Sequence, residues 1–387
     1  MATVSLSESD TRAKLIDPAL HDRGWTEDLI KREETAGAIY ITDGRAYRKP
    51  RGRTDYLLRL KVEGFGQALA VAVIEAKAED HPATHGLEQA KEYARRLNVP
   101  FVFSSNGHLF VHYDDLTGRT SQPRRMTEFP GPDVLRTLYE KARGFSLADE
   151  AAKPLLMPYK GGEATRRYYQ DAAGRAVLEK FARCERTGES KRALLALATG
   201  SGKTRIAVHL LRKIADAGQL RRALFVCDRD ELRKQALLWL SDNFGSDAAA
   251  ATTGNPEKNA RVVVATYQTL GVDTDEADAT FLTSNYPEDY FSHIVIDECH
   301  RSAWGKWSMV LTRNPNAAQI GLTATPRQLN IPETAPEADT DAGIIADNLK
   351  YFCCFGCTQP KPGPQDPIPS LTRSSRKSVP GRLSPDS

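Results

Sequence analysis

The sequence predicts an α/β protein: a small mixed unit followed by a parallel sheet covered on both faces by helices. Short apolar runs, ALLALAT, RALFVCD, VVVAT, HIVIDE and AQIGLTAT, recur between helical stretches from Tyr168 to Phe352, as strands buried on both faces do. ALLALAT passes directly into a glycine turn and a helical pattern, GSGKTRIAVHLLRKIA. Upstream, the alternating DYLLRLKV and the apolar ALAVAVIEA precede an amphipathic stretch, GLEQAKEYARRL, which marks a smaller unit of strands and helix.

Taken in order, residues 1–120 open with an amphipathic helix and continue through DYLLRLKV, ALAVAVIEA, GLEQAKEYARRL, PFVFSSN and HLFVHYD. Residues 121–165 hold SQPRR, FPGP, KPLLMPYKGG and one short helical stretch, the composition of a connector that packs between domains. Residues 166–352 form the parallel-sheet unit. Residues 353–387 carry seven of the chain's 22 prolines and little apolar patterning, so they are expected to be disordered, because they cannot repay the entropy of ordering. Within that tail Cys353, Cys354 and Cys357 have no further Cys or His to complete a metal site and are read as free thiols.

The 387 residues are 40% apolar and 27% charged, a globular composition with no run approaching the ~18 apolar residues of a membrane span. MATVSLSESD lacks the basic start and apolar core of a secretory signal, which points to the cytoplasm. A net charge of +3 argues for no partner by itself; local clusters must do so.

Residues 198–204, ATGSGKT, lie where a strand meets a helix, the position of a phosphate-binding loop. Thr199, Gly200, Ser201 and Gly202 would aim backbone N–H groups at phosphate oxygens, Lys203 would reach the outer phosphates, and Thr204 would ligate Mg²⁺. Leu197 stands where the general pattern has glycine. HIVIDECH then ends an apolar strand in two carboxylates, Asp297 to hold the metal and Glu298 to deprotonate the attacking water. ATP and Mg²⁺ are therefore the expected cofactors. Gln170 precedes the loop and has an amide that can pair with an adenine edge.

A second acidic cluster lies in the first unit. Asp55 falls on one strand, and Glu75 and Lys77 of VIEAK share a face of the next, since strand residues i and i+2 point the same way. Two carboxylates can hold Mg²⁺ on a scissile phosphate while an ammonium positions the nucleophilic water. This is a D…(D/E)xK nuclease arrangement. Gln89 and Tyr93 lie one helical turn apart, and Arg45, Arg48, Lys49, Arg51 and Arg53 form a basic run immediately before Asp55, suited to a phosphate backbone.

These motifs carry a resemblance. DECH and the later GLTATP resemble motifs II and III of superfamily 2 helicases, which have a RecA-like fold and in which His300 would bridge toward Thr323 and Thr325. CDRDELRKQ and VVVATYQTL resemble that group's DNA-gripping motifs, making Arg229, Arg233 and Thr266 candidate phosphate contacts. Gln89 and Tyr93 resemble the QxxxY motif of RecB-like nucleases. A nuclease, a connector and a superfamily 2 motor in that order, with ECHRSAWGKW, resemble the N-terminal portion of the motor and nuclease (R) subunit of type I restriction enzymes over residues 12 to 352. The resemblance implies double-stranded DNA as substrate, ATP-driven translocation, and methyltransferase and specificity subunits as partners. It also implies a second RecA-like lobe and a docking region, neither of which is patterned after Phe352. The expectation is a truncated or frame-shifted subunit that hydrolyses ATP slowly and does not translocate. An inactive remnant that binds nucleotide or DNA, or a stand-alone repair-type helicase, are the alternative readings.

Overall fold

The computed structural model describes residues 5–35, 39–42, 45–48, 52–114, 118–161, 167–272, 279–299, 308–326 and 351–352, with side chains described outside 35–51. The expected disordered tail, 353–387, with its three cysteines, lies outside the described residues, as do His300, Lys49 and Arg51. The side chains of Arg45 and Arg48 lie outside them too.

The chain opens with α1 (Glu8–Thr11), a π-helical turn (Arg12–Ile16) and α2 (Asp17–Asp22) in unbroken succession. Ser7 caps the start, its Oγ accepting from the Asp10 N–H at 3.2 Å. Pro18 lies in the first turn of α2; its ring has no room over the carbonyl one turn back, which accounts for the wide turn just before it. Ile16, Leu20 and Trp25 are fully buried and seat this segment on the first sheet.

That sheet uses β1 (Ile30–Thr35), with a separate hairpin β2 (Ile39–Thr42) and β3 (Arg45–Arg48), then β4 (Arg53–Leu60), β5 (Leu69–Ala76), α3 (Leu87–Leu97), β6 (Phe101–Ser105), β7 (Leu109–Asp114), β8 (Arg119–Thr120) and β9 (Arg124–Arg125). The order is β1-β4-β5-β6-β7-β8, with β9 also on β7. β5 and β6 are parallel because α3 crosses over between them, while β4 and β5 run antiparallel. The strands expected from DYLLRLKV, ALAVAVIEA, PFVFSSN and HLFVHYD are β4, β5, β6 and β7. The polar edge strand β1, IKREET, has no apolar periodicity to announce it.

α4 (Pro132–Arg143) and α5 (Lys153–Leu156) follow within the stretch read as a connector. They are packed: Tyr139 is fully buried and donates its hydroxyl to Glu179 Oε1 at 2.7 Å. Glu179 lies on α6 (Tyr168–Thr187), which is wedged between the two sheets. Its buried Arg175 donates to the carbonyl of Ala70 on β5 at 2.6 Å and to the carbonyl of Leu97 at the end of α3. One apolar cluster runs from Ile16 and Tyr56 through Phe181 to Phe225 and Leu322.

The second sheet comprises β10 (Arg192–Ala196), β11 (Ala223–Cys227), β12 (Ala248–Ala250), β13 (Val262–Thr266), β14 (His293–Asp297) and β15 (Ala318–Thr323). Its order is β10-β15-β14-β11-β13-β12, with every pairing parallel. Helices α7 (Lys203–Asp216), α8 (Asp230–Phe244), α9 (Tyr267–Leu270), α10 (Thr280–Asn285) and α11 (Ser308–Thr312) occupy the crossovers. Because all the strands point one way, the loop before α7 and the end of β14 meet at the same carboxyl edge.

Candidate functional site

Two acidic clefts occupy the two sheets. In the first, Tyr56 pairs with Ile74 across β4 and β5, a register that sets Asp55 beside Glu75. Asp55 Oδ2 accepts from the Ala76 N–H at 2.8 Å, and Lys77 Nζ donates to Glu75 Oε1 at 2.9 Å. Asp55 is 8% exposed and Glu75 2%. Burial, and then the Asp55 charge, push Glu75 up to about 7, and burial also raises Asp55 despite its backbone hydrogen bond and Arg12. Burial alone would lower Lys77, but its bond to Glu75 and the nearby carboxylates raise it instead.

Glu75 Oε2 is buried and has no hydrogen-bond partner, an oxygen for which a cation is the natural complement. Among the described residues no group of three or more His, Cys, Asp or Glu side chains could hold a metal ion, so a cation here would have two carboxylates and otherwise water or backbone oxygens. Mg²⁺ accepts such a set.

Gln89 and Tyr93 lie on α3, with Gln89 Nε2 donating to Tyr93 Oη at 3.2 Å. Tyr93 is buried, and Glu75 is among the charges that raise it, after burial. Arg53 is exposed and paired with Glu33 at 3.0 Å. Four participants were not legible beforehand. Arg12 pairs with Asp55 at 3.2 Å, Glu8 lies 3.5 Å from Lys77, and Ser104 accepts from the Gly86 N–H at 3.2 Å. A Cβ on Gly86 would fall 2.8 Å from Glu75 Cγ and 3.0 Å from Lys77 Cε, so this glycine is there for space. A glycine opening a helix was the one signal available, and it reads equally as a cap.

In the second cleft β10 ends at Ala196, and the chain turns through residues 197–202 into α7. Gly200 and Gly202 adopt φ +78° and +85°, the left-handed region that a side chain penalises. Leu197 ties the loop to β15 through its N–H on the Thr323 carbonyl at 3.0 Å, and its own carbonyl accepts from Lys203 Nζ at 3.2 Å. Lys203 Nζ stands 3.8 Å from Glu298 Oε1, so the loop lysine and the acidic strand end share one place. Asp297 Oδ1 accepts from the Glu298 N–H at 3.1 Å, and burial, then Glu298, push Asp297 up to about 6. Glu298 itself holds φ +51°, strain of the kind kept at working sites. Thr199 and Thr204 flank the turn, Thr204 in the first turn of α7, and Ser201 Oγ is buried without a hydrogen-bond partner.

Gln170 reaches this loop. Its Nε2 donates to the Ser201 carbonyl at 3.0 Å, and a Cβ on Gly202 would lie 2.7 Å from that nitrogen. Beside it a cleft is lined by Tyr159, Gly174, His209 and Lys213, with Lys213 Nζ 4.1 Å from the Tyr159 ring centre. Arg229 is exposed, Arg233 pairs with Asp230, and Thr266 is buried as the cap of α9. The Thr325 N–H donates to Thr323 Oγ1 at 3.1 Å; the expected bridge from His300 lies outside the described residues.

A family model described as type III restriction enzyme, res subunit, matches residues 163–328. The chain is 29% identical over 340 residues to the endonuclease subunit of the type I restriction enzyme EcoAI of Escherichia coli, covering 84% of this chain and 40% of that one. It is 25% identical over 364 residues to the EcoKI endonuclease subunit of E. coli K12, covering 77% and 29%. A solved fragment described as an HsdR subunit of a type I restriction enzyme from Vibrio vulnificus superposes with a TM-score of 0.65 at 28% identity, over 90% of this chain and 58% of that one. The chain thus spans less than half the length of the two curated relatives. Among the described residues no helix is long and apolar enough to cross a membrane. A glycine loop and an acidic strand end thus share one edge of a parallel sheet in a chain similar to the endonuclease subunits of type I restriction enzymes.

Proposed function

We propose that the chain carries two phosphate-handling sites, a Mg²⁺-dependent cleft that cuts double-stranded DNA and the ATP-binding half of a DNA motor. We further propose that it works with methyltransferase and specificity subunits. The observation that carries the nuclease is the partnerless, buried Glu75 Oε2 beside Asp55, with Lys77 2.9 Å from the other Glu75 oxygen. Asp55 and Glu75 would hold Mg²⁺, which supplies Lewis-acid stabilisation of charge on the scissile phosphate. Lys77 orients the nucleophilic water, and Gln89 and Tyr93 support the same cleft from α3. In the other site the 199–204 turn and Lys203 cradle the phosphates, Thr204 and Asp297 would hold Mg²⁺, Glu298 takes a proton from water, and Gln170 reads the base.

The test is Mg²⁺-dependent nicking of supercoiled plasmid by the purified chain and by Glu75→Ala. The wild type is expected to nick at least about 100-fold faster; equal rates reject the nuclease. ATP binding by calorimetry tests the second site separately.

A further inference from the structure

Arg12 lies far from Asp55 in sequence and belongs to no motif, yet among the described residues it is the cation nearest that carboxylate in the first cleft. The π-helical turn places it on the cleft side of the opening helix, 18% exposed, with Nη1 3.2 Å from Asp55 Oδ1 and its guanidinium carbon 5.3 Å from the centre of the Tyr56 ring. Oδ2 of the same carboxylate is fixed by the Ala76 N–H, so Arg12 completes the orientation of Asp55. Arg12 is itself gripped from the other side. Glu33 Oε1 lies 3.7 Å from it, and Glu33 Oε2 takes Arg53 at 3.0 Å. Glu33 sits on β1 across from Asp55 with φ +54°, a left-handed conformation that costs a non-glycine residue free energy. Strained backbone aimed at an ion pair, and a helix widened at the residue that makes it, mark a built arrangement.

Resting on the nuclease reading above, we infer that Arg12 is a positioning residue of the cutting site: it fixes Asp55 and sets the cleft's affinity for a divalent cation, with Glu33 as its counterweight. A positive unit charge a few ångströms from a divalent cation weakens its binding even in water-like surroundings. Arg12 therefore opposes over-tight capture of the ion while holding the carboxylate in the orientation that cutting requires. Glu33 neutralises part of the Arg12 charge, so the two residues act on the ion in opposite senses. An ion pair that only braced the fold, out of range of the ion, would change stability and leave the ion's affinity unmoved. Groups that orient metal ligands from behind change metal affinity or activity by about 10–100-fold when removed.

The test is calorimetric titration of the full chain with Mn²⁺, beside plasmid nicking at saturating Mn²⁺ and thermal unfolding. Wild type is expected to bind Mn²⁺ in this cleft and Glu75→Ala to lose it. Arg12→Ala is expected to bind on the order of tenfold tighter yet nick about tenfold or more slowly, and Arg12→Lys to return both toward wild type. Glu33→Gln, an exposed change that spares folding, is expected to weaken binding about two- to threefold. Unchanged or weaker binding in Arg12→Ala, or tighter binding in Glu33→Gln, overturns the assignment of Arg12. If wild type and Glu75→Ala bind Mn²⁺ alike, the nuclease reading itself fails and Arg12 loses its role with it.

Discussion

The two clefts use the same three charges, a pair of carboxylates and an ammonium, but assemble them differently. In the first, Asp55 and Glu75 come from neighbouring antiparallel strands and Lys77 follows on the same strand. Sheet register alone brings them together, and helices from both sides close over them. In the second, Asp297 and Glu298 are consecutive at a strand end, and Lys203 arrives from a glycine turn on another strand. A site framed by strands is rigid and intolerant of volume. A site framed by turns depends on backbone conformation. The same chemistry is therefore sensitive to different substitutions in the two places.

The largest effect expected from this contrast is at the ammonium of the turn. Lys203→Ala removes the charge proposed to meet the phosphates, so ATP binding by calorimetry should weaken at least about 100-fold, while Mg²⁺-dependent nicking at the first cleft is unchanged. Loss of both would show that the clefts are not separable.

The glycines provide the next comparison. Gly86→Ala forces a methyl against Glu75 and Lys77 and should cost about 1–3 kcal/mol in urea unfolding, the usual range for overpacking, together with nicking. Gly200→Ala meets no atom within 4 Å but retains φ +78°, so it should cost about 1–2 kcal/mol through strain and leave nicking intact. Equal loss of nicking in both would contradict the division between volume and conformation.

Gln170→Ala should reduce preference for ATP over GTP in competition binding by about 1–3 kcal/mol, the worth of a bidentate base contact. Unchanged preference would leave Gln170 only the loop-bracing role seen in its bond to Ser201.

The smallest effects concern pH. Glu75 and Asp297 are raised to about 7 and about 6, so the folded chain holds their protons more tightly than the unfolded chain does. Their contribution is fully present below the unfolded carboxylate values and is lost as pH rises through the folded values. In EDTA, urea unfolding from pH 5 to 8 should show these two carboxyls pulling stability down as pH rises, against the buried His112 and His293, whose lowered values push it up to about pH 6.5. Glu75→Gln should remove about 1 kcal/mol per pH unit of that fall between about pH 5 and 7, and Asp297→Asn a similar share up to about pH 6. Variants whose stability follows pH as the wild type's does would refute both.

Much of this was open to inspection before any coordinates. Five of the six strands of the second sheet carry apolar runs because both their faces are covered, and the glycine loop is legible because its turn needs local backbone freedom at Gly200 and Gly202. β1, β12 and the β2–β3 hairpin were not legible. Edge strands and short pairings bury too little to impose a period, as IKREET and the three-residue β12 show. The acidic pairs were legible through spacing, whereas Arg12, Glu8, Gly86 and Ser104 were not, because each enters its cleft from an element distant in sequence.

What the sequence by itself determined were the features whose physics is local: the turn geometry that Gly200 and Gly202 permit, the shared strand face of Glu75 and Lys77, and the strand-to-helix periods that order the parallel sheet. What only the tertiary structure decided was which groups face one another across chain-distant elements. It set Asp55 beside Glu75 through β4–β5 register, aimed Arg12 at Asp55 from a widened helix turn, and wedged α6 between the sheets with Arg175 on Ala70 and Leu97. The reason is that register and burial are collective: a strand's neighbour is chosen by the summed packing of all its side chains, and no short stretch of residues records that sum.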